Sequence, residues 1–105
     1  MQTATTHPNV TVVSLEGHLN AANAEQVRQK LTSAVSAQKT PVVLVDMAKT
    51  ESLDSAGLMA LVSALKLAHR IDIKFGLCSV SPAIRIIFEL TQLHRVFEMF
   101  DSHSA

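Results

Sequence analysis

Tryptophan and tyrosine are absent from this chain, glycine and proline occur three times each, and Cys78 is the only cysteine. Each scarcity removes a class of function. Without Trp or Tyr there are few platforms on which nucleobases could stack. The formal net charge is zero and the pI about 7.0, so no bulk field draws nucleic acid or an anionic membrane. A lone cysteine excludes an internal disulfide and a cysteine-based metal cluster. Its setting, Phe75-Gly76-Leu77-Cys78, reads as a buried, inert thiol. So few glycines make a phosphate-cradling loop hard to build, and neither G-x-G-x-x-G nor G-x-x-x-x-G-K-[ST] occurs. His7, His18, His69, His94 and His103 are scattered without an H-x-x-x-H spacing, so no metal site is expected. The lack of a G-x-S-x-G elbow argues against a serine hydrolase. No uncharged apolar run approaches the roughly 18 residues that span a bilayer. The opening Met1-Gln2-Thr3-Ala4-Thr5-Thr6 carries neither a basic nor an apolar signal region. The expectation is a soluble, cytoplasmic protein with no direct membrane insertion.

What is present is a core-forming pattern. The 105 residues suffice for one domain, and a hydrophobic content of 48% with 17% charged residues is ample for a single core. Residues 10–15 are β-branched and end at Glu16-Gly17, a strand followed by a turn. A lead-in at residues 1–9 holds a short first strand that pairs back through the His7-Pro8-Asn9 turn. Asn20 or Asn23 then caps a helix with Ala24, Val27, Leu31, Ala34 and Val35 on one face and Glu25 in its first turn. Val42-Val43-Leu44-Val45 reads as a strand buried on both faces, followed by a polar loop. A second helix buries Leu58, Leu61, Val62, Leu65 and Ala68, and His69 reads as a cation at its C-terminus. The next strand is centred on residues 74–77. Ser81-Pro82 opens a third helix that buries Ala83, Ile84, Ile87, Phe88 and Thr91. Residues 96–100 alternate around Glu98 as a final edge strand, and residues 101–105 form a loose tail. Strands separated by such helices imply right-handed crossovers and a mainly parallel sheet, an α/β fold.

Asp54-Ser55-Ala56-Gly57 is the most informative stretch. It places a serine among small residues at the start of an apolar helix, near the carboxyl edge of a sheet, where ligands and partners gather in open α/β folds. In one reading Ser55 or Asp54 is an N-cap worth roughly 1 kcal/mol. In the other the Ser55 hydroxyl is exposed and phosphorylatable. A phosphoserine adds about two negative charges, which a helix N-terminus tolerates, beside an already negative Asp54. Losing roughly 3 kcal/mol of a partner's binding would weaken it about 150-fold, enough for a switch.

Leu53-Asp54-Ser55-Ala56-Gly57-Leu58 resembles the D-S-[SA]-G-[LV] signature of the STAS domain family, named for sulfate transporters and anti-sigma factor antagonists. Gly17-His18-Leu19-Asn20 resembles its G-x-[LI]-D turn, residues 42–46 its strand into the serine loop, and Ser79-Val80-Ser81-Pro82 its strand-to-helix step. Phe97 falls where its last strand begins. The resemblance runs from about Val10 to Phe100, with all 105 residues taken as one STAS domain. It implies a mixed, mainly parallel sheet of four to five strands with helices packed mainly on one face.

The resemblance also implies a non-enzymatic, phospho-regulated binding protein of a bacterial partner-switching system. Unphosphorylated, such a protein binds an anti-sigma factor that is also a serine kinase. Phosphorylation at the position of Ser55 releases it, and a PPM-type phosphatase resets it. ATP and Mg²⁺ belong to the kinase, so no cofactor is expected on this chain. The expected partner surface takes in Asn20, Asn23, Asp54, Ser55, Ala56 and Gly57, to which the helical spacing adds Met59.

Two departures stand out. Ala56 replaces a common second serine, leaving Ser55 the sole acceptor, and Asn20 replaces the usual acidic residue of the turn. Met59 lies one turn after Ser55, off the buried stripe and in line with Ser63 and Lys66. It is either an adaptable partner contact or is covered by the neighbouring helix. The alternatives to a sigma-factor switch are an accessory STAS subunit of a lipid or anion transporter and a STAS regulator with another output. A small flavodoxin-like enzyme is disfavoured by the missing phosphate loop.

Overall fold

A computed structural model of the chain describes residues 3–6 as backbone and residues 9–101 in full. Met1, Gln2, His7 and Pro8 of the expected lead-in and residues 102–105 of the expected tail lie outside the described residues. The elements run β1 (Thr3–Thr6), β2 (Val10–Leu19), α1 (Ala24–Ser36), β3 (Val42–Leu53), α2 (Ser55–Arg70), β4 (Lys74–Cys78), α3 (Pro82–Leu90), a 3-10 turn at Leu93–Arg95, and β5 (Glu98–Phe100). One five-stranded sheet takes them in chain order, β1-β2-β3-β4-β5. β1 is antiparallel to β2, and every later pairing is parallel. This is the expected mixed, mainly parallel α/β domain.

Alternation along the strands sends Val13, Leu15, Val43, Val45, Phe75 and Leu77 to one face. There they share a single buried cluster with Val27, Leu31 and Val35 of α1, Leu58, Leu61 and Leu65 of α2, and Ile84 and Phe88 of α3. The helices therefore all cover the same face. The ring of Phe88 meets that of Phe97 edge-on at 5.4 Å, tying α3 to the chain that enters β5.

The structure corrects several expectations. β2 does not end at Gly17, and the segment after Val45 is not a loop. Both strands continue together to the pair Leu19–Leu53, with register shifts after Ser14 and after Gly17. At each shift β3 carries an extra residue, so its buried side chains after Val45 are Met47, Thr50 and Leu53. Bulges thus replace a period of two by a spacing of three, which looks like a loop in sequence. Gly17 sits within the strand at φ +80°, a left-handed conformation suited to glycine.

In α1 the N-cap residue is Asn23, but its side chain makes no cap bond. The carbonyl oxygen of Asn20 instead accepts from the N–H groups of Asn23 and Ala24, at 3.1 and 2.8 Å. α2 buries Leu58, Leu61, Leu65 and Ala68 of the expected stripe and also Ala60 and Ala64, because it lies against both the sheet and α1, whereas Val62 is only half-buried. α3 buries only Ile84 and Phe88. Ile87 is half-buried, and Ala83 and Thr91 are exposed, since the helix covers the sheet margin with a narrow face. Thr91 ends the helix by donating to the Ile87 carbonyl oxygen at 2.8 Å. Val96 precedes β5 and is exposed.

Candidate functional site

The extension of β2 and β3 positions the serine motif. At its tip, the carbonyl oxygen of Leu19 accepts from the Asp54 N–H at 3.0 Å. One turn later Gly57 lies against the same residue: a Cβ there would come within 2.7 Å of that oxygen and 2.9 Å of the Leu19 Cβ. Gly57 has an ordinary helical backbone, so the glycine of the motif serves close approach. Leu19 also leads into the Asn20 turn that starts α1, so one strand end registers both helix starts.

Asp54 is extended and caps α2: its Oδ1 accepts from the Gly57 N–H at 3.0 Å. Ser55 is the first helical residue. It is exposed, and among the described residues its hydroxyl has no hydrogen-bond partner. Of the two cap candidates, Asp54 performs the structural role and leaves the Ser55 hydroxyl free. Helix geometry gives the N–H groups of Ser55 and Ala56 no intrahelical acceptor, so the positive end of α2 surrounds that hydroxyl.

Asn20 and Asn23 lie in the adjacent turn, and both are committed locally. Asn20 Oδ1 accepts from the Ala22 N–H at 2.9 Å, an Asx-turn. Asn23 Oδ1 accepts from the Asn20 N–H at 3.0 Å, while its Nδ2 donates to the His18 carbonyl oxygen at 2.8 Å. Asn23 therefore holds the turn closed. Asn20 keeps its amide NH₂ group without a bond among the described residues.

Met59 is 54% exposed and not covered by α1. With Ala56, Ala60 and Ser63 of α2 and Ala24 and Arg28 of α1, it lines a shallow groove of about 280 Å³ beside the motif. Arg28 donates from Nε and Nη2 to the Glu25 carboxylate on the groove rim. That hydrogen bond holds the Glu25 carboxyl below its usual range and raises the Arg28 guanidinium above its own. Ser63 donates back to the Met59 carbonyl oxygen at 3.0 Å, and Lys66 beyond it is exposed. The motif, Asn20 and Met59 thus come together at one end of the domain.

Sequence reasoning placed Glu25 in the first turn of α1 but missed its pairing with Arg28 at the groove and the outer side of the extension. There His18 Nδ1 and Ser52 Oγ are 2.6 Å apart, and His18 Nε2 lies 3.9 Å from Glu51 Oε1. The pairing of His18 with Ser52 needs the bulged register and could not be counted along the chain. Among the described residues no cluster of three His, Cys, Asp or Glu side chains could hold a metal ion, and no helix is long and apolar enough to cross a membrane.

The family model for the STAS domain matches residues 2–105. This chain belongs to the STAS domain family. BtrV of Bordetella bronchiseptica, a protein assigned as an anti-sigma factor antagonist, is 30% identical over 94 residues, covering 90% of this chain and 80% of BtrV. The crystal structure of an anti-sigma factor antagonist from Mycobacterium paratuberculosis superposes with a TM-score of 0.87 at 25% identity, over 97% of this chain and 86% of that one. The Bacillus cell fate determinant SpoIIAA in its phosphorylated form shares the fold, with a TM-score of 0.72 at 18% identity over 94% of this chain and 90% of SpoIIAA. The resemblance carried by the serine motif is thus met by sequence and fold over nearly the whole chain.

Proposed function

We propose that this STAS protein is a phospho-regulated, non-enzymatic binding module of a bacterial partner-switching system, with Ser55 as its single switch. The observation that carries this reading is the division of labour at the start of α2. Asp54 bonds the Gly57 N–H, and the Ser55 hydroxyl stands exposed and unbonded beside it. A hydroxyl that no base among the described residues hydrogen-bonds is a poor nucleophile, and it suits a substrate on which another protein's kinase acts. A phosphate there would meet the free amides of the first helical turn, so the fold tolerates it while the surface beside Asp54 becomes strongly negative.

The partners proposed are an anti-sigma factor that is also a serine kinase, which brings its own ATP and Mg²⁺, and a PPM-type phosphatase. All act in the cytoplasm. The unphosphorylated form binds the kinase through the surface around Ser55, with Asn20, Ala56 and Met59 at its centre and Gly57 holding it in shape. The exposed, unbonded Ser55 favours this over a transporter-subunit role, which would not need a free acceptor there.

Incubation with a cognate kinase and ATP, followed by peptide mapping, tests the reading; a phosphate anywhere but Ser55, or none, overturns it. In binding assays Ser55→Ala keeps partner affinity and Ser55→Asp lowers it by about 100-fold. Equal affinities for the two variants contradict a switch. Met59→Lys is expected to weaken binding while leaving the unfolding midpoint in place.

A further inference from the structure

Helix α3 carries an apolar stripe that no other element among the described residues covers. Ile86 is 52% exposed and Leu90, one turn later, 79%. Ala83 and Pro82 are exposed on the same side, while the opposite side buries Ile84 and Phe88. The helix is apolar on two faces, a pattern that fits one buried in an assembly better than one at a free surface. No residue of α3 lines the groove beside Ser55, so this face is separate from the proposed switch surface.

The flank of the stripe indicates what covers it. Arg85 and Glu89 sit one turn apart with opposite charge, yet among the described residues their side chains form no ion pair or hydrogen bond with each other or any other group. We propose that α3 is the contact face of a homodimer, in which it packs antiparallel against α3 of a second copy across a twofold axis. In that arrangement Ile86 of one chain meets Leu90 of the other, and the exchange repeats across the axis. The same axis brings Arg85 of each copy opposite Glu89 of its partner. The apolar pair and the charged pair are centred at nearly the same point of the helix, so one axis serves both. Self-complementarity of this kind selects a second copy as the occupant. A nine-residue helix offers less than the roughly 800 Å² per partner of a standard stable interface, so the dimer is a concentration-dependent one.

Sedimentation equilibrium of the full chain from about 10 µM to about 1 mM tests the proposal. The expected result is a mass rising toward that of two chains, with the rise lost in Leu90→Glu. Arg85→Glu alone and Glu89→Arg alone each lose it, and an equimolar mixture of these two variants regains it. Leu90 is largely exposed, and circular dichroism checks that each variant keeps the native fold; if Leu90→Glu does not, the charge-reversal pair decides alone. A monomer at every concentration overturns the proposal, as does a dimer insensitive to these substitutions. So does failure of the mixture to recover, or a Leu90→Glu variant that loses binding to the kinase partner but not self-association.

Discussion

Gly17 and Gly57 flank the same strand end and are glycines for different reasons. Gly17 has φ +80° with open space where a Cβ would stand, whereas Gly57 has no room for one against Leu19. Gly17→Ala is expected to cost about 1 kcal/mol, from the left-handed backbone alone. Gly57→Ala trades a helix-propensity gain of about 1 kcal/mol against an overpacking cost of about 1–3 kcal/mol, for a net loss of up to about 2 kcal/mol. Because the close contacts are the Leu19 carbonyl oxygen and Cβ, shortening Leu19 to Ala does not rescue it. Chemical denaturation of the three variants distinguishes the two causes. The Asp54–Ser55 pair follows a similar logic. Two adjacent residues could each cap the helix, and both readings were legible in the sequence. Which oxygen faces the Gly57 N–H is decided by the extended backbone of Asp54, and that sets the neighbouring hydroxyl free.

At the scale of elements, the continuation of β2 and β3 past the sheet brings the motif and the Asn20 turn together. Its bulges explain why the sequence pattern failed there: Val45, Met47, Thr50 and Leu53 are all buried, but the spacing slips from two to three. By contrast, α2 and β4 were legible, since an unbroken apolar period and a compact apolar run need no bulge. Asn23 joins the end of the extension to α1. Asn23→Ala removes its two side-chain bonds, to the Asn20 N–H and the His18 carbonyl oxygen. It is expected to cost about 1–3 kcal/mol and to raise hydrogen exchange at the Asn20 amide above that of the α2 core. Asn20→Asp keeps an oxygen for the Ala22 N–H, so unfolding is expected to stay within about 0.5 kcal/mol of the native chain. Any change it makes in partner affinity is then a surface effect.

For the molecule as a whole, the core links stability to pH through Cys78. Burial, reinforced by the negative Asp46 and opposed by a hydrogen bond with Ser79, pushes its thiol up to about 11. The unfolded thiol ionises near its ordinary 9.0, so the native state is favoured fully below that pH and loses ground as pH rises from 9 toward 11. Urea midpoints measured across this interval are expected to fall, and Cys78→Ala should flatten that part of the slope. Native Cys78 should also resist thiol reagents at pH 8 that label it in urea. Composition and period were enough to determine the α/β class, the single core, the buried thiol and the position of the serine motif, because each rests on local chemistry or on counting along the chain. The tertiary structure alone decided that β2 and β3 run on together, that Asp54 rather than Ser55 caps α2, that Asn23 closes the turn, and that α3 keeps an apolar face uncovered among the described residues. Those outcomes depend on register and on which groups meet across the fold, and neither is written in the spacing of residues along one segment.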